Sequence, residues 1–316
     1  MKFSKDFKEI KGDASFRKFY RSVNRNSIIV FSKKEKIKNL LVYDSINKIL
    51  VKNSIIAPEL LSQNYKKNYI EIEDLGKKTI YQIFIKNKKN HYLLLKKVIN
   101  VLNKIQLIKN KKIKNFENKF YKIKEYKNNI LLGETKLFSD WYVSKKLDKK
   151  KINIFNKKFN KEIKLLLSKL NFKNDTFVHR DFHVSNLIVN SKKQIGLIDN
   201  QDAIIGNRAY DLASLIDDVR YKTSNSLKDK VYKYYLKTNK KIDVDKFKND
   251  FDILSVLRNL KIIGIFMRLA ERDKKIKYLK LIPYAWNMID NRMSKNKVLN
   301  NLKLLLESNF PKFIIK

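Results

Sequence analysis

The front of the chain alternates apolar and polar positions with the period of β-strands. Residues 15–23 and 27–31 each favour a strand, since β-branched and aromatic residues are frequent in them, and the polar turn 24–26 lies between them. Residues 35–52 repeat apolar side chains at helical spacing, and residues 69–73 alternate again as a strand. This part of the chain is therefore predicted to form a β-hairpin, a helix and a further strand.

The helical period dominates the rest of the chain. From residue 76 to about residue 175 the spacing of apolar positions is mainly helical, and a short hairpin follows over 187–199. Later helices are predicted at 209–220, 248–273, 283–293 and 297–308. A small β-rich front and a large helical back predict an α+β, bilobal protein with an N-lobe over 1–75 and a C-lobe over 76–316.

The segment 179–186 carries the strongest chemical signal. The sequence from His179 to Asn186 fits the kinase catalytic-loop pattern H-R-D-x-x-x-x-N at every fixed position, with Arg180 and Asp181 in second and third place. In that pattern the Asp accepts the proton of the attacking hydroxyl group, and the Asn binds a metal ion that bridges the nucleotide phosphates. The segment therefore predicts phosphoryl transfer.

A second metal ligand is expected where the next hairpin ends. Two apolar runs, 187–189 and 195–198, flank a polar turn and lead to Asp199, the place of the D-F-G Asp in kinases. Asn186 and Asp199 both offer the oxygen donors that Mg²⁺ prefers. An isolated H-R-D is more often an ordinary salt-bridged turn, but a loop, a hairpin and an acidic end in this order favour the metal site.

Composition limits the classes of protein that fit. The chain has 316 residues, enough for two lobes with a sizeable core. It has no Cys and only three His, which excludes disulfides and argues against a zinc site. Residues 1–8 are charged and unlike a signal peptide, and no apolar stretch reaches the roughly 18 residues of a membrane span. A cytoplasmic protein without membrane association, most simply a monomer, is expected.

The net charge of +41 raises the question of a nucleic-acid partner. Only ten of the 72 basic residues are Arg, and base recognition relies on Arg more than on Lys. The Lys residues are scattered beside abundant Asn, Ile, Phe and Tyr, residue types that share A/T-rich codons. A base bias of the genome explains this composition at least as well, and we expect no nucleic-acid partner.

Seven blocks of the chain, spread nearly from end to end, carry a family resemblance. They are residues 12–21, 73–76, 140–142, 179–186, 198–203 with Gly206, 210–212 and 260–268. Through them the chain resembles the aminoglycoside phosphotransferase-like (APH/choline kinase-like) family, and within it the bacterial kinases of N-acetylmuramate and N-acetylglucosamine. The first and last blocks are specific to those sugar kinases. The resemblance implies a protein-kinase-like fold, ATP and Mg²⁺ as cofactors, and an amino sugar as the small-molecule substrate.

The resemblance also implies roles for single residues. Asp181 is implied as the catalytic base, with His179 and Arg180 ordering its loop, and Asn186 and Asp199 as the Mg²⁺ ligands. The nucleotide-binding residues it implies are Gly12, Asp13, Ala14 and Ser15 in a phosphate-covering turn, the cations Arg17 and Lys33, and Glu73 and Leu75 in the hinge that contacts adenine. The acceptor-binding candidates are Asp202, Arg220, Arg258 and Lys261.

Two positions depart from the family pattern. Asn200 stands where the family usually has an aromatic residue after the metal-binding Asp. The third-strand Lys of a typical kinase is absent from residues 28–32, so Lys33, Arg17 or Arg21 must supply the positive charge for the phosphates.

The function predicted first is phosphorylation of the anomeric hydroxyl of N-acetylmuramate or N-acetylglucosamine in cell-wall recycling. An aminoglycoside acceptor is the next alternative, although a basic protein suits polycationic rings less well. A choline kinase would need an aromatic cage, for which Trp141, Tyr142 and Trp286 are candidates that could equally be core residues. The alternative of another class is a non-catalytic, pseudokinase-like binding module.

Overall fold

A segment from the middle of the chain folds together with the N-terminal part. The computed structural model describes residues 6–10, 17–32, 35, 39–87 and 89–311. The chain forms two compact units, the first of residues 1–124 and 177–204, the second of residues 125–176 and 205–316. The division into lobes at residue 75 stays a prediction.

The first unit contains a five-stranded antiparallel sheet. Its strands are β1 (Phe7–Ile10), β2 (Arg17–Ser22), β3 (Ser27–Ser32), β4 (Leu60–Asn64) and β5 (Tyr69–Glu73). They lie in the order β1-β2-β3-β5-β4. The predicted hairpin is confirmed as β2 and β3, and the predicted strand as β5. The edge strands β1 and β4 are not predicted, because neither alternates apolar and polar residues as β5 does.

A helix covers one face of this sheet. Helix α1 (Asn39–Lys52) confirms the helix predicted from the apolar spacing of residues 35–52 over the part that the structure describes. Its Leu40 and Tyr43 pack with Val30 of β3 and with residues of β5 into a buried cluster. The apolar positions recur at helical spacing because this face of α1 meets the sheet.

The remaining elements of the first unit include two further hairpins. The elements are α2 (Ile80–Lys86), α3 (His91–Gln106), β6 (Lys112–Lys114), β7 (Phe120–Lys122), β8 (Thr176–Val178), β9 (Leu187–Val189), β10 (Ile195–Leu197) and β11 (Ile204–Gly206), of which β8 and β11 reach into the second unit. Strands β9 and β10 pair antiparallel and confirm the hairpin predicted over 187–199. The β6–β7 hairpin lies within the stretch for which mainly helices are predicted.

The second unit is mainly helical. Its helices are α4 (Asn128–Leu137), a π-helical turn (Phe138–Val143), α5 (Ser144–Lys146), α6 (Lys149–Ser168), α7 (Ala209–Ile216), α8 (Asn225–Thr238), α9 (Val244–Glu271), α10 (Ile282–Met293) and α11 (Asn300–Asn309). The four predicted helices are confirmed as α7, α9, α10 and α11. No helix in the described ranges is long and apolar enough to cross a membrane. The predicted α+β class is confirmed.

Helix α9 makes a close backbone contact at a glycine. A Cβ atom added to Gly264 would lie 2.6 Å from the backbone nitrogen of Phe138 and would overlap the carbonyl group of Leu137. Real Cβ atoms do not come this close to backbone atoms. A side chain at residue 264 would therefore push α9 away from the junction between α4 and the π-helical turn.

A buried carboxylate joins three elements of the second unit. Asp217, just after α7, accepts hydrogen bonds from Lys228 Nζ at 3.0 Å, Arg292 Nε at 2.8 Å and Ser255 Oγ at 2.6 Å. Burial alone would raise the pKa of Asp217, but the charges of Arg292 and Lys228 outweigh it and hold the pKa well below its ordinary value.

We expect Gly264→Ala to lower the free energy of unfolding by about 1–3 kcal/mol, because the methyl group would overlap a neighbouring backbone. The matched control is Gly133→Ala within α4, where an added Cβ meets nothing within 4 Å. That control should be neutral or stabilising by up to about 1 kcal/mol. Urea unfolding of the three proteins measures the difference, and equal stability of the two variants would contradict the close contact.

We expect Asp217→Asn to cost about 3–5 kcal/mol of stability near neutral pH, because the buried Lys228 loses its counter-charge and Arg292 keeps only Asp252, at 3.7 Å. The pKa of Asp217 is lower in the folded than in the unfolded protein. The contribution of its carboxylate is therefore complete above about pH 4 and disappears as the pH falls further. Urea unfolding at a series of pH values should show the gap between wild type and variant closing towards acid.

The control for this variant is Asp148→Asn, whose carboxylate is exposed and paired only at 4.0 Å. It should change stability by less than about 0.5 kcal/mol at any pH. A gap between wild type and Asp217→Asn that stayed constant down to about pH 2 would contradict the assignment, because a depressed pKa predicts its closure.

Candidate active site

The predicted catalytic loop follows β8 in the first unit. Its residue Arg180 has a φ of 73°, in the left-handed region that non-glycine residues rarely adopt. The guanidinium of Arg180 donates to the backbone oxygen of Asp202 at 3.3 Å. The carboxylate of Asp202 lies 3.9 Å from the same guanidinium. Arg180 thus braces the turn that presents Asp181, a partly buried side chain.

His179 connects this loop to the segment around Asp199. Its ring is fully buried. The Nε2 atom lies 3.2 Å from the backbone oxygen of Ile198 and 2.8 Å from the Oδ1 atom of Asn200. The Nδ1 atom accepts the backbone N–H group of Asp181 at 3.3 Å. His179 is placed to order the loop, as the sequence predicts.

Asn186 lies beside Asp199 because the strand pairing places it there. The backbone N–H group of Ile198 donates to the backbone oxygen of Asn186 at 3.1 Å. The side-chain nitrogen of Asn186 donates to the backbone oxygen of Asp181 at 3.1 Å. Since the amide nitrogen is held by this bond, the amide oxygen is the end of Asn186 that faces away from Asp181.

Asp199 also lies in a left-handed turn, with a φ of 63°. Its Oδ1 atom accepts hydrogen bonds from Arg17 Nη2 at 3.0 Å and from Gln201 Nε2 at 3.1 Å. Burial raises the pKa of the Asp199 carboxyl group, the charge of Arg17 opposes this, and the nearby carboxylate of Asp181 raises the pKa further. Burial and the Asp181 carboxylate together outweigh Arg17, so the pKa of Asp199 is raised above its ordinary value.

These donors suit a Mg²⁺ ion shared with a nucleotide. Within the described residues no group of three His, Cys, Asp or Glu side chains could hold a metal ion by itself. Mg²⁺ usually takes only one or two carboxylates and completes its shell with phosphates and waters. The Oδ2 atom of Asp199, in a side chain that is 40% exposed, and the amide oxygen of Asn186 fit this pattern.

Arg17 and Arg21, both on β2, have different partners. Arg17 is buried, and its guanidinium donates to Asn39 Oδ1 at 3.1 Å as well as to Asp199 Oδ1. Arg21 forms an ion pair with Asp74 and donates to the backbone oxygen of Gly76 at 3.1 Å. Arg17 is thus the cation that reaches the predicted metal ligand, whereas Arg21 stabilises the hinge. The other predicted nucleotide-binding residues outside the hinge, Gly12, Asp13, Ala14, Ser15 and Lys33, lie outside the described residues.

The predicted hinge follows β5. The backbone N–H groups of Glu73, Asp74 and Gly76 are bonded to Glu59 O, Asn26 O and Asp74 Oδ1, respectively. Among the described residues, the N–H group of Leu75 has no such partner. The Leu75 side chain is buried against β10, where Gly196 leaves room for it.

The acceptor-binding candidates are divided between the two units. Asp202 belongs to the first unit and accepts from Gln201 at 2.8 Å. In the second unit, Arg220 pairs with Asp218 at 3.3 Å and Lys261 with Glu134 at 2.9 Å. Arg258 is only 4% exposed, and no ion pair is seen for it in the part of the chain that the structure describes. Their roles stay predictions.

Sequence reasoning missed two residues of the site, Asn39 and Gln201. Asn39 Oδ1 accepts a hydrogen bond from Arg17 Nη1, and Gln201 Nε2 donates one to Asp199 Oδ1. A signal for the first was present in the sequence: Asn39 and Tyr43 are four positions apart, on the face of α1 that is buried. A polar residue on such a face needs a partner, which points to a site.

Comparisons with known proteins show the family and the fold of the chain. The sequence model of the phosphotransferase enzyme family (APH) matches residues 6–244. The chain is 27% identical over 287 residues to the N-acetylmuramate/N-acetylglucosamine kinase of Neisseria meningitidis serogroup B, covering 88% of this chain and 82% of that protein. It is 25% identical over 303 residues to the protein of the same name from Pseudomonas aeruginosa, covering 94% and 86%.

Among solved structures, a choline/ethanolamine kinase family protein from Mesorhizobium loti is similar with a TM-score of 0.64 and 10% identity. The match covers 96% of this chain and 92% of that chain. At this identity the likeness concerns the fold, and it confirms the predicted protein-kinase-like fold. The chain therefore belongs to the phosphotransferase enzyme family, and it is a kinase.

Proposed function

We propose that this kinase transfers a phosphoryl group from ATP, with Mg²⁺, to the anomeric hydroxyl of N-acetylmuramate or N-acetylglucosamine. The observation that carries the chemistry is the grouping of Asp181, Asn186 and Asp199, tied together through the backbone bonds around His179 and Ile198. The names of the two relatives support the choice of acceptor. A role in cell-wall recycling in the cytoplasm follows from that acceptor.

In the proposed reaction, the Asp181 carboxylate accepts the proton of the sugar hydroxyl group as its oxygen attacks the γ-phosphorus. The new oxygen–phosphorus bond forms while the bond from the γ-phosphorus to ADP breaks, so that the products are the sugar phosphate and ADP. Asn186 and Asp199 would hold Mg²⁺, and its charge would offset the negative charge that develops on the phosphate oxygens. Arg17, 3.0 Å from Asp199, offsets part of the negative charge beside Asp181.

Three features support ATP as the donor. Arg17 lies 3.0 Å from Asp199 and is fixed by Asn39, so it can supply the charge that the third-strand Lys supplies in other kinases. The N–H group of Leu75 can donate to the adenine edge, and the backbone oxygen of Glu73 is the neighbouring acceptor. We assign the covering of the phosphates to residues 12–15.

The acceptor is argued from charge and burial. N-acetylmuramate carries a carboxylate, and a buried Arg without a counter-ion is a suitable partner for one. We propose Arg258, Arg220 and Lys261 as the candidate cations: Arg258 has no ion pair among the described residues but is only 4% exposed, whereas Arg220 and Lys261 are more exposed and already pair with Asp218 and Glu134. Asp202, exposed beside Arg180, is proposed to accept from a sugar hydroxyl group.

The alternative acceptors find less support. A choline cage needs aromatic faces that a ligand can reach. The rings of Tyr142 and Trp286 are buried and bonded to each other, with Trp286 Nε1 donating to the Tyr142 hydroxyl at 3.3 Å. They pack with four Phe rings into the core of the second unit. A binding module without activity would not need Asp181, Asn186 and Asp199 together.

The acceptor is tested with the purified protein, ATP and Mg²⁺. We expect ADP release with N-acetylmuramate and N-acetylglucosamine, and little with hexoses that lack the acetamido group, choline or kanamycin. Phosphorus NMR should show an anomeric phosphate, which is distinct from a phosphate on a primary alcohol. Turnover with choline or kanamycin alone would contradict the proposed acceptor and leave the kinase chemistry intact.

Asp181→Asn is expected to lower kcat about 10²–10⁴-fold, because the amide cannot accept the proton. Binding of ATP should persist, since Asp181 is not assigned to the nucleotide. Asp245→Asn on the exposed first turn of α9 is the control and should behave as wild type. Wild-type turnover in Asp181→Asn would refute the assignment of the base.

A further inference from the structure

Asn200, the residue that departs from the family pattern, is fully buried and bonded on both sides. Its side-chain nitrogen donates to Asn47 Oδ1 at 2.8 Å and to the backbone oxygen of Leu197 at 3.1 Å. Its side-chain oxygen lies 2.8 Å from Nε2 of His179. Asn47 is a residue of α1 that is only 3% exposed. A polar residue has thus taken a position that an aromatic ring usually fills, and it has partners there.

The partners fix the orientation of the Asn200 amide and the tautomer of His179. A backbone oxygen such as Leu197 O can only accept, so the nitrogen of Asn200 must face it and the oxygen must face His179. The Nε2 atom of His179 therefore carries the hydrogen, which Ile198 O also accepts at 3.2 Å. The Nδ1 atom is then the acceptor for the backbone N–H group of Asp181.

His179 consequently joins the two strained turns of the site. Arg180, with a φ of 73°, precedes Asp181, and Asp199 itself has a φ of 63°. Such conformations cost energy in residues with a side chain and persist only where surrounding contacts hold them. His179 bonds the backbone N–H group of Asp181 on one side, and Ile198 and Asn200, the two neighbours of Asp199, on the other. These bonds hold the two turns together.

We propose that Asn47 and Asn200 are positioning residues of the kinase reaction, which hold His179 in the Nε2–H tautomer and link α1 to the two turns that present Asp181 and Asp199. Neither side chain is assigned to substrate, nucleotide or metal. The proposal rests on the kinase activity for its kinetic readout, but its structural part can be measured without any acceptor.

The proposal makes different demands on the two positions. Residue 200 must donate and accept at once, which Asn does and which Leu and an ionised Asp do not. Residue 47 needs only an acceptor, so Asn47→Asp keeps the bond, since either protonation state of the carboxyl group retains an accepting oxygen. Asn47→Ala removes it. This difference provides a conservative variant for rescue.

The first test is nitrogen NMR of the protein labelled with ¹⁵N-histidine. Only three His are present, and a His179→Gln variant assigns the signal. We expect the Nε2–H tautomer for His179, with a hydrogen that exchanges slowly because the ring is buried. Exchange should be faster in Asn47→Ala and Asn200→Leu, and close to wild type in Asn47→Asp. An Nδ1–H tautomer, or unchanged exchange in both disrupted variants, would overturn the proposal.

The second test is kinetic, at saturating acceptor. We expect Asn47→Ala and Asn200→Leu each to lower kcat or raise the required Mg²⁺ concentration about 10–100-fold, as loss of residues supporting a metal site does. The KM for ATP should change little. The double variant should be no worse than the worse single variant, because both changes break one link.

Controls separate positioning from loss of the fold. Asn53→Ala, an exposed Asn whose side chain bonds the backbone oxygen of Ile49 in α1, should keep wild-type rates. Thermal unfolding identifies variants that fail to fold, and rescue by Asn47→Asp then decides the question. Loss of activity that is additive and not rescued by Asn47→Asp would overturn the link. Absence of wild-type turnover with an amino sugar, with the expected tautomer present, would refute the acceptor and not the positioning.

Discussion

The proposed site requires two carboxylates, those of Asp181 and Asp199, to lie near each other although their charges repel. The carboxylate of Asp181 raises the pKa of Asp199, and burial raises it further. Arg17 offsets part of this cost from β2, at 3.0 Å from Asp199. A buried Arg is suited to the position because its planar guanidinium can bond Asn39 and Asp199 at the same time. The charge balance of the site is thus set by a strand distant in sequence.

The backbone carries the second part of this task. Hairpin β9–β10 brings Asn186 next to Ile198, so one strand pairing fixes the separation of Asn186 and Asp199, the two proposed metal ligands. The positions of the two side chains are therefore set by the backbone of the hairpin and depend little on side-chain flexibility. The polar contacts of Asn200 keep this arrangement without an aromatic side chain behind Asp199, which explains how the chain tolerates its departure from the family.

Long periodic segments, alternating strands and the loop motif could be predicted from the sequence, whereas short strands without alternation and polar partners could not. Helix α9 shows many helical periods, but β1 offers only four residues. The sequence leaves open which cation replaces the third-strand Lys of other kinases, because it does not show which side chain reaches Asp199. Arg17 and Arg21 lie on the same face of a strand, four positions apart, and only the partners distinguish their roles. Asn39 was missed although it lies on the buried face of α1, because the apolar pattern does not name the partner of a polar residue.

Acceptor choice is the property that the fold leaves most open, since proteins of this fold act on chemically different hydroxyl groups. The charge of individual pockets therefore matters more than the net charge of +41. Most Lys residues are exposed and interact weakly with any ligand because water screens them. Lys261, half-buried, already neutralises Glu134, and only a cation that is buried without a counter-ion gains fully from a substrate carboxylate. Among the described residues, Arg258 is buried and has no ion pair, so the charge of this proposed acceptor-binding residue is not already offset by a carboxylate.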